Sequence, residues 1–141
     1  MFLLDTNVVS ELRKARTGKA HPNVAAWAQT VRESSLFLSA IVVLELEIGV
    51  LQLERKDPAQ GAILRSWLDE HVLPTFADRV LPVDTVVARR SARLHVPDPQ
   101  PCRDGLVAAT ALVHGMTIVT RNVADFQATG VALLNPWDAS Q

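Results

Sequence analysis

The feature that most limits how this chain can fold is a repeated alternation. A short apolar run is followed by a polar or acidic residue and then by a segment with helical spacing. "FLL" leads into "NVVSELRKA", where Val8, Val9 and Leu12 recur at helical intervals. "SLFLS" leads into "AIVVLELEIGVLQLE", and "RVLPV" into "DTVVARRSARL". "TIVT" follows the helical "DGLVAATALVHG", which Gly115 stops, and "VALLN" supplies a last strand. Two further helices are predicted over "NVAAWAQTV" and "AILRSWLDEHVLPTF", with "RTGKAHP", "RKDPAQG" and the Pro-rich "HVPDPQPCR" as loops. Strands that alternate with helices in this way predict an α/β fold with a mainly parallel central sheet covered by helices on both faces.

With 141 residues, residues 1–141 are expected to form one domain with a real core. A hydrophobic fraction of 48% beside 21% charged residues is too apolar for a disordered segment. The longest apolar stretch, Leu36 to Leu51, is interrupted by Ser39, Glu45 and Glu47, which makes it a poor membrane span. Asp5 comes too early for a signal peptide, and Cys102 is the single cysteine, so a cytoplasmic, reducing location is expected. The net charge is −1, so any polyanionic partner must be held locally. Two basic groups are available for that: Arg13, Lys14, Arg16 and Lys19, and further on Arg89, Arg90 and Arg93.

Four carboxylates stand where a parallel sheet would gather ligands. Asp5 follows the first strand, and in open α/β sheets ligands bind beyond the carboxyl ends of strands. Its local context fits a helix cap equally well, as does that of Asp84 after "RVLPV", which is read as a cap only. On "AIVVLELEIGVLQLE", Glu45 and Glu47 lie on different stripes, and Glu45 is expected inward with Glu47 outward. Gly49, beside the Glu45 stripe, suggests close packing there. Asp104 opens the alanine-rich "DGLVAATALVHG" as either an acid of the site or an N-cap, and Asp125 in "TRNVADF" is either an acid of the site or a turn residue. If Asp5, Glu45, Asp104 and Asp125 converge, their mutual repulsion calls for a cation, and an all-oxygen donor set suits Mg²⁺ or Mn²⁺ rather than zinc. His21, His71, His95 and His114 are scattered and read as surface or packing residues, and Cys102 as an incidental thiol.

Together, "LLDTNVVSEL", "LSAIVVLELEIGV" and "DGLVAATALVHGMTIVTRNVADF" followed by "VALLNPW" resemble the PIN-domain ribonucleases of the VapC type, toxins of toxin–antitoxin pairs, and most closely their FitB-like branch. The resemblance covers nearly the whole chain in order. It implies a divalent-metal-dependent hydrolase of RNA phosphodiester bonds that dimerises or joins a hetero-oligomer with a small antitoxin carrying a DNA-binding part. It places Asp5, Glu45 and Asp104 in the catalytic site, with Asp5 and Asp104 holding Mg²⁺, or Mn²⁺ in its stead. Many relatives carry an acid directly after "TR", where this chain has Asn122, so either Asp125 supplies the fourth acid or the site has only three carboxylates. Thr120 and Arg121 lie close enough in sequence to Asp125 either to contact phosphate or to serve only as turn residues.

Two other classes compete. A phosphoacceptor signalling domain also uses strand-end acids, but it needs a lysine near the last strands, and Lys14, Lys19 and Lys56 are all elsewhere. A catalytically inert protein of the same fold, acting inside an antitoxin- and DNA-bound complex, is the remaining alternative.

Overall fold

The computed structural model describes residues 1–138; Ala139–Gln141, part of the expected domain, lie outside the described residues. The elements run in the order β1 (Phe2–Leu4), α1 (Thr6–Arg13), α2 (Pro22–Thr30), β2 (Leu36–Ser39), α3 (Ala40–Lys56), α4 (Pro58–Trp67), the short α5 (Leu73–Thr75), β3 (Val80–Leu81), α6 (Thr85–Leu94), α7 (Cys102–His114), β4 (Thr117–Val119) and β5 (Leu133–Leu134). The five strands form one sheet in the order β3-β2-β1-β4-β5 with every pairing parallel. Phe2 is in register with both Leu36 and Thr117, so β1 lies between its neighbours.

That order explains why "FLL" is so apolar. A central strand of a parallel sheet is covered on both faces, and Leu3 and Leu4 are fully buried. The connections from β1 to β2 and from β2 to β3 step one way along the sheet, whereas β4 and β5 lie on the other side of β1. Right-handed crossovers therefore put α6 and α7 on the opposite face from α1 to α4. The reversal between β1 and β4 is a topological switch point, with Asp5 at its carboxyl edge.

Local chemistry sets the boundaries. Asp57 ends α3 and caps α4 at once, its Oδ1 accepting the Gln60 N–H at 3.2 Å. It has extended backbone, as a residue before proline must, and Pro58 opens α4 where no donor is needed. The expected loop "RKDPAQG" therefore shrinks to one residue, and α3 and α4 form a tight hairpin. Gly61 makes this hairpin possible, because a Cβ there would stand 2.4 Å from the Glu54 Cα. Gly49, the glycine singled out for close packing, has nothing within 4 Å of its Cβ position. The close approach falls on the other glycine, since α3 turns its Glu54 side and not its Gly49 side to α4. The predicted helix over "AILRSWLDEHVLPTF" forms, but residues Leu68–Val72 widen into a π turn. Pro74 cannot donate to the Glu70 carbonyl and its ring would strike it, and the wider turn accommodates both effects.

The core joins Leu3, Leu4, Val8, Leu38, Val42, Val50, Ala108, Ala111, Ile118 and Phe126 across both layers. Ala108, Ala109 and Ala111 are fully buried, as suits a helix packed close to its neighbours. Gly115 closes α7 in the left-handed region at φ 65°. Among the described residues no helix is long and apolar enough to cross a membrane.

Candidate metal centre

Asp5 is both a cap and the centre of a hydrogen-bond network. Its Oδ1 accepts the Thr6 N–H at 2.9 Å. Its Oδ2 accepts the Thr120 hydroxyl at 2.8 Å and the Asn7 amide at 3.3 Å. The residue is 8% exposed, and its own N–H donates to the Val119 carbonyl, which locks the end of β1 to the end of β4. A carboxylate with three donors is held in one orientation while keeping lone pairs for a further ligand.

Thr6 links this network to α3, its hydroxyl donating to Glu45 Oε1 at 2.8 Å. The other oxygen of Glu45 lies 3.6 Å from Arg103 Nη1. Glu45 thus turns to the centre, as expected. Glu47 leaves the centre as expected, but it meets α4 instead of open water. Its Oε2 lies 2.6 Å from Arg65, which also reaches Glu54 and Asp69. The hydrogen bond and charge of Arg65 hold the Glu47 carboxyl below its usual range.

Asp104 occupies the first turn of α7, but it is not the cap; Pro101 precedes the helix and the Asp104 carboxyl is left for the centre. Burial pushes its pKa up, and the charges of Asp5, Asp125 and Glu45 push it further the same way, while Arg103 pulls it down. The four acids are therefore electrostatic neighbours. Asp125, in the turn Val123–Asp125, is the exposed member. Asn122 gives its backbone N–H to the Thr120 hydroxyl at 3.0 Å. Asp84 does not join them; it caps α6 by accepting the Val87 N–H at 2.9 Å.

The structure reassigns one residue and adds three. Thr120 is fully buried with its hydroxyl on Asp5, so the expected phosphate contact is closed to it. Arg121 has its guanidinium over the Trp137 ring and its N–H on Asn7 Oδ1 at 3.1 Å. Thr6, Asn7 and Arg103 escaped the sequence reading. The signal was present for two of them, because "DTN" sets a hydroxyl and an amide directly after the strand-end acid. The histidines are peripheral: His21 caps α2, His71 meets Arg16, and His95 accepts the Gln100 N–H. Cys102 is an exposed free thiol at the start of α7.

Among the described residues no three His, Cys, Asp or Glu side chains are grouped tightly enough to enclose one ion. The donor chemistry still fits a hard cation. Mg²⁺ is commonly held by one or two carboxylates and keeps several waters, and Asp5 and Asp104 offer that pair in a place where, of the described residues, Arg103 is the one cation among four acids.

A parallel sheet with carboxylates gathered at its switch point defines an α/β protein with an acidic centre at the carboxyl edge of β1. Residues 2–131 match the PIN domain family. The chain is 39% identical to a VapC ribonuclease of Sinorhizobium fredii, with 98% of this chain and 99% of the relative aligned. It is 38% identical to the toxin FitB of Neisseria gonorrhoeae, over 97% and 99% of the two chains. The crystal structure of FitAcB from Neisseria gonorrhoeae superposes with a TM-score of 0.87 at 37% identity, covering 97% of this chain and 99% of the other. A structure of FitAB bound to a DNA fragment gives the same TM-score at 36% identity, covering 98% and 96%. The chain belongs to the PIN-domain family.

Proposed function

We propose that this chain is the toxin of a toxin–antitoxin pair and acts as a divalent-metal-dependent ribonuclease, folding as one domain and working in the cytoplasm. The observation that carries the reading is the gathering of acids at the switch point: Asp5 is held at the end of β1 by Thr6, Asn7 and Thr120, Thr6 reaches across to Glu45, and Asp104 and Asp125 lie near enough for their charges to act on one another. Such a cluster is costly unless a cation joins it. The relatives named as a VapC ribonuclease and as a toxin support both the chemistry and the biological class.

Asp5 and Asp104 would hold the cation, Mg²⁺ or in its stead Mn²⁺. When bound, the ion supplies a positive charge opposite the scissile phosphate and acidifies water for hydrolysis. Thr120, Asn7 and the Thr6 N–H hold the Asp5 carboxylate in one orientation. Thr6 fixes one oxygen of Glu45, leaving Glu45 and Asp125 to accept a proton from, or orient, the attacking water. Asp125 takes the role of the fourth acid that Asn122 cannot supply. Arg103, beside Glu45 and half exposed, is placed to meet a phosphate oxygen.

The toxin would pair with a small antitoxin bearing a DNA-binding part and would assemble as a homodimer or as a hetero-oligomer with it. Complexes such as FitAB on DNA support that assembly. An acidic centre without its cation attracts a guanidinium or ammonium, so the antitoxin tail is expected to place an Arg or Lys near Asp5, Glu45 and Asp104. The test is to induce the chain in cells and sequence newly formed 5′ ends of RNA, with Asp104→Asn as control. Discrete new ends absent from the control support the ribonuclease; identical patterns favour an inert protein acting only within a DNA-bound complex.

A further inference from the structure

Most arginines of the described chain have partners. Arg65 and Arg79 pair with acids, Arg16 meets His71, Arg103 faces Glu45, and Arg13 and Arg121 lie over tryptophan rings. Of the described residues, Arg32, Arg55, Arg89, Arg90 and Arg93 lack such partners, and of these Arg89, Arg90 and Arg93 stand together on one groove. Among the described residues none of the three is in an ion pair or over a ring. With Thr85, Val86 and Val113 they line a groove of about 260 Å³ to which no acid contributes. The nearest acids in sequence are Asp84, which spends one oxygen capping α6, and Asp98, and neither lines the groove.

Their placement on α6 is not explained by helix stability. Val86, Arg89, Arg90 and Arg93 follow the i, i+3, i+4, i+7 spacing of one helical stripe. The core-facing side of α6 is a different one, marked by the buried Val87 and Ser91. Like charges at i and i+4, such as Arg89 and Arg93, weaken a helix. A stripe of three guanidiniums above an apolar floor has the character of a surface made for phosphates, with Val86, 60% exposed, available to sugar and base faces.

The stripe also has a direction. Val113, near the end of α7, joins Val86 and Thr85 at one end of the groove. At the other end His95 and Ser91 crowd Gly105, the neighbour of Asp104. The two helices are therefore antiparallel, and of the three stripe arginines Arg93 lies toward the acidic centre, where Arg103 already stands beside Glu45. Val86 to Arg93 spans about 10 Å of helix.

We propose that the α6 arginine stripe is a track for the sugar–phosphate backbone of single-stranded RNA entering or leaving the acidic centre. The proposal rests on the ribonuclease reading and deepens it, locating on one helix the attraction that a chain of net charge −1 lacks as a whole. Guanidiniums facing phosphates carry no base sequence, so the track supplies affinity and not target choice.

The test uses the full chain, a labelled short single-stranded oligoribonucleotide, and Ca²⁺ as the cation, titrated over a series of salt concentrations. The variant combines Arg89→Gln, Arg90→Gln and Arg93→Gln. A control combines Arg32→Gln, Arg55→Gln and Lys56→Gln, removing the same charge from elsewhere. Three lost phosphate contacts should make the slope of log K against log salt shallower by about 2. Affinity at moderate salt should fall about tenfold to a hundredfold, and Arg93→Gln alone should change the slope by about 0.7. The control should keep the wild-type slope. An unchanged slope in the triple variant, or an equal change in the control, overturns the track while leaving the ribonuclease reading standing. A shift in the oligomeric state of the triple variant by sedimentation would make this face a subunit contact and also overturn it. Wild-type protein that binds no RNA in Ca²⁺ overturns both.

Discussion

The Thr120 hydroxyl donates a 2.8 Å hydrogen bond to Asp5 Oδ2 across a separation of 115 residues, and both residues are buried. The same hydroxyl accepts the Asn122 N–H at 3.0 Å. One side chain thus fixes the carboxylate of β1 and the turn after β4 together. Thr120→Val keeps the shape and removes the donor, leaving an ionised oxygen short of a partner. Stability should fall by about 1–3 kcal/mol, and RNA cleavage should drop at least about tenfold because Asp5 is no longer aimed. Thr120→Ser should restore cleavage toward wild type. Denaturant unfolding and a cleavage time course on both variants check this.

Asp104 makes the metal-free fold less stable when it ionises. Its folded pKa is raised, so the folded state holds the proton more tightly than the unfolded chain does. Below the ordinary carboxylate pKa there is no penalty; as pH rises through that value and then through the raised folded value, stability is lost. Asp104→Asn should therefore melt about 1–4 °C above wild type in chelator at neutral pH. The difference should vanish in acid, and cleavage should be abolished throughout. Asp5→Asn should not share the gain, because the Asp5 carboxylate is surrounded by donors.

The two glycines of α3 and α4 should respond in opposite directions. Gly61→Ala drives a methyl into Glu54 backbone and should cost about 2–3 kcal/mol. Gly49→Ala adds a methyl in open space inside a helix and should stabilise by about 0.5–1 kcal/mol. Urea melts of both variants, read at fixed m-value, decide the point.

Cation chemistry should separate binding from cleavage. With chelator, the acidic centre repels phosphate, so an oligoribonucleotide should bind weakly; Mg²⁺ and Mn²⁺ should restore binding and cleavage together. Ca²⁺ should restore binding with little cleavage, because its longer, looser coordination is poorly suited to activating water. Binding indifferent to all four conditions, with no products in any, counts against a metal-dependent nuclease.

Much of the fold was legible in the sequence because its signals are local. "FLL", "SLFLS" and "TIVT" are short apolar runs bounded by polar residues, and each became a strand of the sheet. The joint at Asp57 was misread because Lys-Asp-Pro looks like a loop, and nothing local says that one capped residue can turn the chain. Gly61 was missed for a related reason: its meaning lies in a backbone from another helix. At the candidate site, residue type and position made Asp5, Glu45, Asp104 and Asp125 candidates while leaving cap and turn readings open, and gave no sign of the partners that orient them. Arg103 looked like an ordinary residue before a helix acid, and Thr120 like a phosphate contact, because burial and direction are properties of the assembled sheet.

The sheet order also bears on when the acidic centre can assemble. Asp5 and Glu45 leave the ribosome early, but β1 closes on β4, and neither Asp104 nor Thr120 exists until most of the chain has been made. Pairings so distant in sequence form late, since the intervening loop must close first. A nascent chain therefore carries its first two acids without a centre to put them in. The acids therefore come together only once β4 has paired with β1, and the centre is among the last parts of the fold to form.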